Sequence, residues 1–283
     1  LNQQGGVNGQ RIEIVKVDDG YEPDRCAENT RQLLSRNCTA LFGYIGTPTS
    51  VVALPLATEA KVPFFAPFTG AEVLRTPFNR YAIHVRASYF DETAAIVRQL
   101  TQVGIKRISV FYQNDAYGKA GLEGVTRALK ELNLEPASLG TVERNTVDVA
   151  ESIKSIMAGR PEAIVQISAY KSCAAFIREA RRAGFGGTFY NVSFVGTQAL
   201  ADELGAEGQG IVVSMEGYLA AKVFAEGLRR AGRNPTREAL ISGLESISNM
   251  SFGGFNVSYG PRRRTASSFV ELSMLTGDGK VRR

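Results

Sequence analysis

The chain has 283 residues, of which 44% are apolar and 22% are charged, and its formal net charge at pH 7 is +5. This length exceeds that of one ordinary hydrophobic core and suggests two lobes. The composition argues against a membrane span, since no apolar run approaches ~20 residues, and against nucleic-acid binding, since no basic stripe with interleaved aromatic residues is present.

The first thirty residues predict the opening βα unit of an α/β sheet. A helix ends at Gly5–Gly6, the usual left-handed stop, and because the chain starts inside this helix we expect its natural N-terminus to lie upstream. The alternation over Arg11–Val17 predicts a strand. Asp18–Asp19 follow in a turn, where paired carboxylates fit turn hydrogen bonds, a cation site or an acid/base pair. Glu22–Pro23 then opens a helix.

Strand and helix patterns alternate through most of the chain, which predicts parallel sheets with helical crossovers. The predicted strands lie near 11–17, 39–45, 62–65, 106–112, 135–141, 161–168, 187–191 and 209–213. The predicted helices lie near 23–36, 49–60, 89–103, 116–132, 147–158, 171–183, 215–231 and 236–246. The tail differs, because 253–258 and 268–275 predict a strand pair joined by a Gly-Pro turn.

One junction in this pattern lacks a connection. The strand ending at Ser214 runs directly into a helical pattern that begins at Met215. Parallel strand-to-helix connections usually need at least a couple of residues. We therefore expect a natural segment between these two residues to be absent from the sequence.

The loops that follow the strands are rich in hydroxyl and aromatic side chains, and in open parallel sheets ligands bind beyond the carboxyl ends of the strands. Thr47, Thr49 and Ser50 precede a helix, where hydroxyls and free N–H groups make a carboxylate cradle or cap the helix, and both roles are compatible. Tyr117 and Tyr170 offer flat apolar walls with a polar tip, or are simply half-buried loop residues.

Catalytic groups are scarce. The single histidine, His84, lies in an apolar strand-like run and is expected to be structural. Neither a nucleophile elbow nor a Walker loop occurs, and the glycines of 118–124 run into a helix instead of forming the turn before it. We therefore expect no catalytic residue, no metal site and no cofactor.

The remaining special residues also favour structural interpretations. Cys26 and Cys38 flank a helix of roughly 18 Å, which is too long for a disulfide, and with Cys173 they are expected to be free thiols. The run Arg262–Arg264 follows a Gly-Pro turn and is expected to be solvated.

Several segments together resemble the periplasmic solute-binding proteins of ABC importers, of the leucine/isoleucine/valine-binding type. They are GGVNGQRIEIVKVDDGYEP, GTPTSVVALPLATEAKVPFFAPFTGAEVLR, YAIHVRASYFDE, YQNDAYGKAGLEG, FIREARRAGF and SMEGYLAAKVFAEGLRRAG. The resemblance implies an α/β fold of two Rossmann-like lobes with parallel sheets, joined by a three-strand hinge (the type I periplasmic binding, or Venus-flytrap, fold). It places 1–88 with 215–252 in one lobe and 89–214 with 253–283 in the other.

The resemblance also assigns ligand contacts in the cleft between the lobes. Thr47 matches the hydroxyl that holds the ligand carboxylate. Phe68 and Gly70, which flank Thr69, match positions that contact the ligand's carboxylate and ammonium. The second lobe is implied to contribute Tyr117, Ala169 (where relatives have a tyrosine), the adjacent Tyr170, and Ser193 (where relatives have an acid).

The departures at Ala169 and Ser193 bear on the ligand. A buried ammonium without a carboxylate partner is costly, and replacing a tyrosine with alanine enlarges a pocket. Our hypothesis from the sequence is therefore a carboxylate ligand that lacks the amino group or is bulkier than leucine. Glu216, or an acid in an absent segment, is an alternative partner for an ammonium.

The function implied is that of a monomeric, non-catalytic solute-binding protein outside the cytoplasm, either periplasmic or lipid-anchored. It would capture a branched-chain or neutral amino acid, or a related organic acid, and deliver it to the membrane permease of an ABC importer. A ligand-sensing module of the same fold that signals to a partner protein is the alternative. A small-molecule enzyme is a third interpretation, which the lack of convergent acid, base and nucleophile disfavours.

Overall fold

The protein forms two compact α/β units in a computed structural model that describes residues 1–214, 219–278 and 280–282. The first unit comprises Leu1–Ala87 and Glu216–Phe269, and the second comprises Ser88–Met215 and Val270–Arg283. The chain thus passes from one unit to the other three times. The units differ from the expected lobes mainly over 253–269, which belongs to the first unit, where Val257, Tyr259 and Ala266 are part of the core.

The helices and strands alternate for most of the chain. The α-helices are α1 (Pro23–Ser35), α2 (Thr47–Glu59), α3 (Tyr89–Gln102), α4 (Ala116–Lys130), α5 (Ala150–Ala158), α6 (Tyr170–Arg182), α7 (Thr197–Leu204), α8 (Leu219–Ala231) and α9 (Arg237–Glu245). The strands are β1 (Leu41–Phe42), β2 (Phe64–Phe65), β3 (Ala82–Ile83), β4 (Ile108–Gln113), β5 (Leu139–Val142), β6 (Ala163–Ile167), β7 (Thr188–Asn191), β8 (Val212–Ser214), β9 (Met250–Phe252), β10 (Phe255–Val257), β11 (Leu272–Leu275) and β12 (Val281–Arg282).

The first unit is built on a small parallel sheet in the order β1-β2-β3. Helices α1 and α2 pack together, and α8 packs on α9 over a core that includes Phe65, Val223 and Leu240. Strands β9 and β10 form an antiparallel hairpin. As the sequence predicts, Glu22 is the N-cap of α1 and Pro23 its first residue, where proline's missing N–H is not needed.

The second unit contains one seven-stranded sheet in the order β12-β11-β8-β7-β6-β4-β5. The five strands from β8 to β5 are parallel, whereas β11 runs antiparallel to β8 and β12. All five residues of β6 are buried, as is usual for a parallel strand covered on both faces. The parallel strands therefore end at one edge, where their loops lie near one another.

Two predicted strand assignments are wrong. The segment 11–17 forms no strand, because none of the described strands pairs with it and its Ile12 backbone is instead hydrogen-bonded by the Asn2 side chain. The segments 253–258 and 268–275 do not pair with each other: β10 pairs with β9, and β11 pairs with β8 and β12. The sequence also gave no signal for α7, which follows the β7 loop.

The expectation of solvation for the arginine run is also wrong for Arg264. This side chain is buried and donates hydrogen bonds to the backbone oxygens of Arg80 and Gly260 and to Glu245. Arg262 and Arg263 are exposed, as expected. The junction of Ser214 with Met215 lies outside the described residues, which resume at Leu219. No helix of the described chain combines the length and apolar character needed to cross a bilayer.

Candidate ligand-binding site

Three buried hydroxyl side chains meet where α2 begins, at the carboxyl end of β1. Thr47 is the first residue of α2, and its Oγ1 lies 2.6 Å from the Oγ1 of Thr69. Ser50, one turn further along the helix, is fully buried, and its Oγ has no hydrogen-bond partner. The first turn of a helix also leaves backbone N–H groups unpaired within the helix. This end of α2 thus presents buried hydroxyl groups beside its first turn, in which Pro48 has no N–H and the Ser50 N–H donates to the Gly46 carbonyl.

The capping role considered for these hydroxyls is not what they do. Gly46 is the N-cap of α2, and no side chain makes a cap hydrogen bond there. The Thr49 hydroxyl donates backwards to the carbonyl oxygens of Ile45 and Gly46. Neither Thr47 nor Ser50 caps the helix: the Thr47 hydroxyl is paired with that of Thr69, and the Ser50 hydroxyl has no partner.

The loop after β2 lies beside the start of α2. The backbone N–H of Phe68 donates to the Tyr44 carbonyl (2.6 Å), and the N–H of Gly46 donates to the Phe68 carbonyl (3.2 Å). These bonds hold Phe68, Thr69 and Gly70 next to the α2 N-terminus. The Arg86 guanidinium lies over the Phe68 ring, 4.4 Å from its centroid, which adds positive charge to this part of the first unit.

In the second unit, Tyr117 lies in the first turn of α4, directly after β4. Asp115 caps this helix by accepting hydrogen bonds from the N–H groups of Tyr117 and Gly118. The Tyr117 ring is fully buried and packs against Phe194, with centroids 4.4 Å apart. Its hydroxyl donates to the Ser168 carbonyl at 3.3 Å. Tyr117 is thus an apolar wall anchored by its polar tip.

The end of β6 contributes Ser168, Ala169 and Tyr170. Ala169 is the N-cap of α6 and has no side-chain hydroxyl with which to cap it. Tyr170 is half-buried at the first helical position, with the Lys171 Nζ 6.0 Å from its ring centroid. The Ser168 side chain is fully buried, and its Oγ has no hydrogen-bond partner. Sequence reasoning missed Ser168, although its position at a strand end was a usable signal.

Ser193 lies two residues beyond β7, at the same edge of the sheet. It is 6% exposed, and its backbone N–H and its hydroxyl both donate to the carboxyl group of Glu92, at 2.8 and 2.7 Å. Glu92 belongs to the first turn of α3 and is 2% exposed. Sequence reasoning missed this acid, because 101 residues separate it from Ser193 and no local pattern connects them.

The other candidate residues have structural roles. Asp18 and Asp19 accept hydrogen bonds at 2.8 Å from the N–H groups of Gly20 and Tyr21, which confirms the turn interpretation. His84 is 1% exposed. Cys26, Cys38 and Cys173 are free thiols, as predicted. Across residues 1–214, 219–278 and 280–282, no three His, Cys, Asp or Glu side chains are grouped as a metal site would require.

Two α/β units with parallel sheets and polar strand ends define the class of type I periplasmic binding folds. A solved structure from Rhodopirellula baltica, described as a possible leucine/isoleucine/valine-binding protein, superposes with a TM-score of 0.94 at 28% identity, covering 100% of this chain and 88% of that one. A substrate-binding periplasmic protein from Ralstonia solanacearum gives a TM-score of 0.93 at 28% identity, covering 99% and 90%.

The sequence comparisons agree with the structural ones. The family model described as Periplasmic binding protein matches residues 1–216, so this chain belongs to that family. It is 22% identical over 196 residues to Leu/Ile/Val-binding protein homolog 7 of Brucella abortus, covering 65% of this chain and 49% of the relative. The chain thus spans about half the length of this curated relative.

Proposed function

We propose that this chain is the ligand-capturing part of an extracytoplasmic solute-binding protein that serves an ABC importer. The ligand is a small molecule with a carboxylate, such as a neutral amino acid or a related organic acid, which is passed to a membrane permease. The two compact units act as the two lobes of the trap, and the protein works as a monomer without catalysis. Family membership and the names of the relatives support this proposal.

The buried hydroxyl groups at the N-terminal end of α2 support this proposal most directly. Thr47, Thr69 and Ser50 are fully buried, and the Ser50 hydroxyl lacks a partner. A carboxylate only accepts hydrogen bonds, so it is the ligand group that complements hydroxyl and N–H donors at a helix N-terminus. The positive end of the helix dipole adds to this preference.

We expect the substitution Thr47→Val to weaken binding of carboxylate ligands by about tenfold or more, because a hydrogen bond to a charged group is lost while the side-chain shape is kept. Titration calorimetry of the intact protein with leucine and with its amide, leucinamide, measures the effect. The wild type should bind the acid far more tightly than the amide, and the variant should lose most of this difference.

A matched control is Thr101→Val in α3, because the Thr101 hydroxyl bonds only to the carbonyls of Val97 and Arg98 in its own helix. This variant should bind leucine as the wild type does. Equal binding of acids and amides by the wild type would contradict a carboxylate site at α2. Failure of every amino acid and organic acid to bind would contradict the proposed function itself.

A further inference from the structure

Residues 7–10 of the first unit form a tight turn, here called the Asn8 turn. Val7 and Gln10 exchange both backbone hydrogen bonds, at 2.8 and 2.9 Å, which leaves Asn8 and Gly9 as the two central residues. Their φ angles are 52° and 80°, and two positive values in succession are the mark of a type I′ turn. Asn-Gly is a preferred sequence for such turns, and this is the single Asn-Gly pair of the chain.

The Asn8 side chain connects this turn to the C-terminal end of α8. Its Nδ2 lies 3.1, 3.2 and 2.8 Å from the carbonyl oxygens of Leu228, Arg229 and Gly232. The last carbonyls of a helix have no partner within the helix, and three acceptors around one atom identify that atom as the amide nitrogen. Leu228 lies 220 residues from Asn8, so this contact joins two segments of the first unit that are distant in sequence.

Asn8 and Gly9 are also a chemically reactive pair. The backbone nitrogen of Gly9 can attack the side-chain carbon Cγ of Asn8, and glycine has no Cβ atom to hinder the approach. A bond forms between this nitrogen and Cγ, the Cγ–Nδ2 bond breaks, and ammonia leaves with the proton that the Gly9 nitrogen gives up. Water then opens the cyclic imide at either carbonyl and produces aspartate or isoaspartate. Gly9 is exposed, and a Cβ atom added there would meet no atom within 4 Å, so water has access to the turn.

The hydrogen bonds to α8 oppose this reaction. They hold the nitrogen that must leave, and they keep the Asn8 side chain extended toward α8, so that Cγ is not free to turn onto the Gly9 nitrogen. The reaction therefore requires the Asn8 turn to open from α8. Local openings of this kind occur in folded proteins at a lower free energy than global unfolding, so deamidation should proceed slowly in the folded protein.

The product of the reaction cannot restore the contact. A carboxylate only accepts hydrogen bonds, and it would face three carbonyl oxygens at the negative end of the α8 dipole. The arginines in the last turn of this helix, Arg229 and Arg230, are already paired with Glu226. An isoaspartate would in addition lengthen the main chain of the turn by a methylene group. Deamidation thus replaces an attractive contact with a repulsive one.

We propose that Asn8 is a deamidation site whose reaction permanently breaks the contact between the Asn8 turn and α8. The folded protein slows the reaction, and the reaction, once it has occurred, destabilises the first unit. The first unit therefore ages in one direction, independently of any ligand and of the proposed function.

The first test follows the reaction in the wild-type protein by peptide mapping and mass spectrometry. The protein is incubated at mildly alkaline pH, in buffer and in guanidinium chloride. In the denaturant, Asn8 should deamidate before any other asparagine. In buffer, Asn8 should react about tenfold or more slowly than in the denaturant, because the turn must first open. A different asparagine reacting first in the denaturant, or equal Asn8 rates in the two solutions, would overturn the proposal.

The second test introduces the product directly. The substitution Asn8→Asp should lower the melting temperature by about 3 °C or more, because α8 loses its donor and gains a negative charge. Asn133 provides the matched control. It also has a positive φ angle (56°) and follows a helix, α4, but it is exposed and its side chain makes no hydrogen bond within the described part of the chain. Asn133→Asp should change the melting temperature by less than about 1 °C.

Hydrogen exchange locates the effect. In Asn8→Asp, exchange should quicken at residues 7–10 and in the last turn of α8, while the seven-stranded sheet of the second unit keeps its protection. If Asn8→Asp does not fold, the deamidated fraction of aged wild-type protein, separated by ion exchange, is measured in its place. Equal melting temperatures for the deamidated and intact proteins, or quickened exchange away from the Asn8 turn and α8 alone, would contradict the proposal.

Discussion

His84, the chain's single histidine, shows how burial fixes the state of a titratable residue. Its Nε2 lies 3.1 Å from the Leu74 carbonyl, and its backbone bonds to Arg264 and Ala266. Burial, reinforced by the positive charge of Arg75, lowers the pKa of His84 well below its ordinary value of 6.5. The imidazole is therefore neutral in the folded protein, which suits a structural residue and not an acid or base.

This shift predicts a specific loss of stability in acid. Below pH 6.5 the unfolded chain binds a proton at His84 that the folded chain does not bind, so the free energy of unfolding falls as the pH falls. The contribution is about 1.4 kcal/mol per pH unit until the folded pKa is reached. Urea unfolding of the wild type and of His84→Gln between pH 7 and 5 measures it. The difference between the two should shrink as the pH falls, and parallel pH profiles would contradict this assignment.

Arg264 fixes the loop after β10 to the rest of the first unit. Its guanidinium bonds to the Arg80 and Gly260 carbonyls and pairs with Glu245 of α9 at 2.5 Å. Its side chain is 7% exposed and that of Glu245 is 18% exposed. One cation therefore links this loop to two other segments of the first unit, the residues before β3 and helix α9.

Removing the Arg264 guanidinium should destabilise the folded protein. We expect Arg264→Ala to lower the free energy of unfolding by about 3 kcal/mol, because Glu245 and two carbonyls lose their partner in a largely buried place. Arg262, which is exposed, provides the control. The substitution Arg262→Ala should change the free energy of unfolding by less than about 0.5 kcal/mol. Denaturant midpoints measure both values. Similar small effects for the two variants would mean that the buried ion pair contributes little.

The three glycines of α4 allow this helix to pack closely against its neighbours. A Cβ atom added at Gly118, Gly121 or Gly124 would collide with Gln113, Ile167 or Thr93. The glycines thus let α4 approach β4, β6 and α3 closely. Their spacing of three is a packing pattern within a helix, in agreement with the sequence-based conclusion that they are not a nucleotide-binding loop.

Helices could be predicted from the sequence because their periodicity is local. Strand pairing could not, because it depends on residues that are distant in the sequence. Helices α1, α3 and α6 begin within one residue of their predicted starts, because their apolar faces, Pro23 at the start of α1 and the Ser88 cap of α3 are readable locally. A strand, however, exists only with a hydrogen-bonded neighbour, and the alternating segment 11–17 has none among the described residues. For the same reason β11 was assigned the wrong partner, and Glu92 was not associated with Ser193.

Both units are assembled from segments that are distant in sequence. The second unit joins Ser88–Met215 to the final residues Val270–Arg283. This arrangement follows from three passages of the chain between the units, and it means that neither unit is a continuous stretch of sequence. The stability of the seven-stranded sheet should therefore depend on residues that follow the entire first unit in the sequence.

Deleting 270–283 tests this dependence. Strand β11 pairs with Val212–Ser214 of β8, the Leu275 N–H and carbonyl bond to Ile211 and Gly210, and the Leu275 side chain is 1% exposed. Loss of the Leu275 burial alone should cost about 2 kcal/mol. Hydrogen exchange should therefore quicken in β8 and β7, whereas the core around α8 and α9, which contains no residue of the deleted segment, should keep its protection.

Deleting only 277–283 keeps β11 and serves as the control. Unchanged protection of β8 in the longer deletion would show that the parallel strands hold this edge without β11.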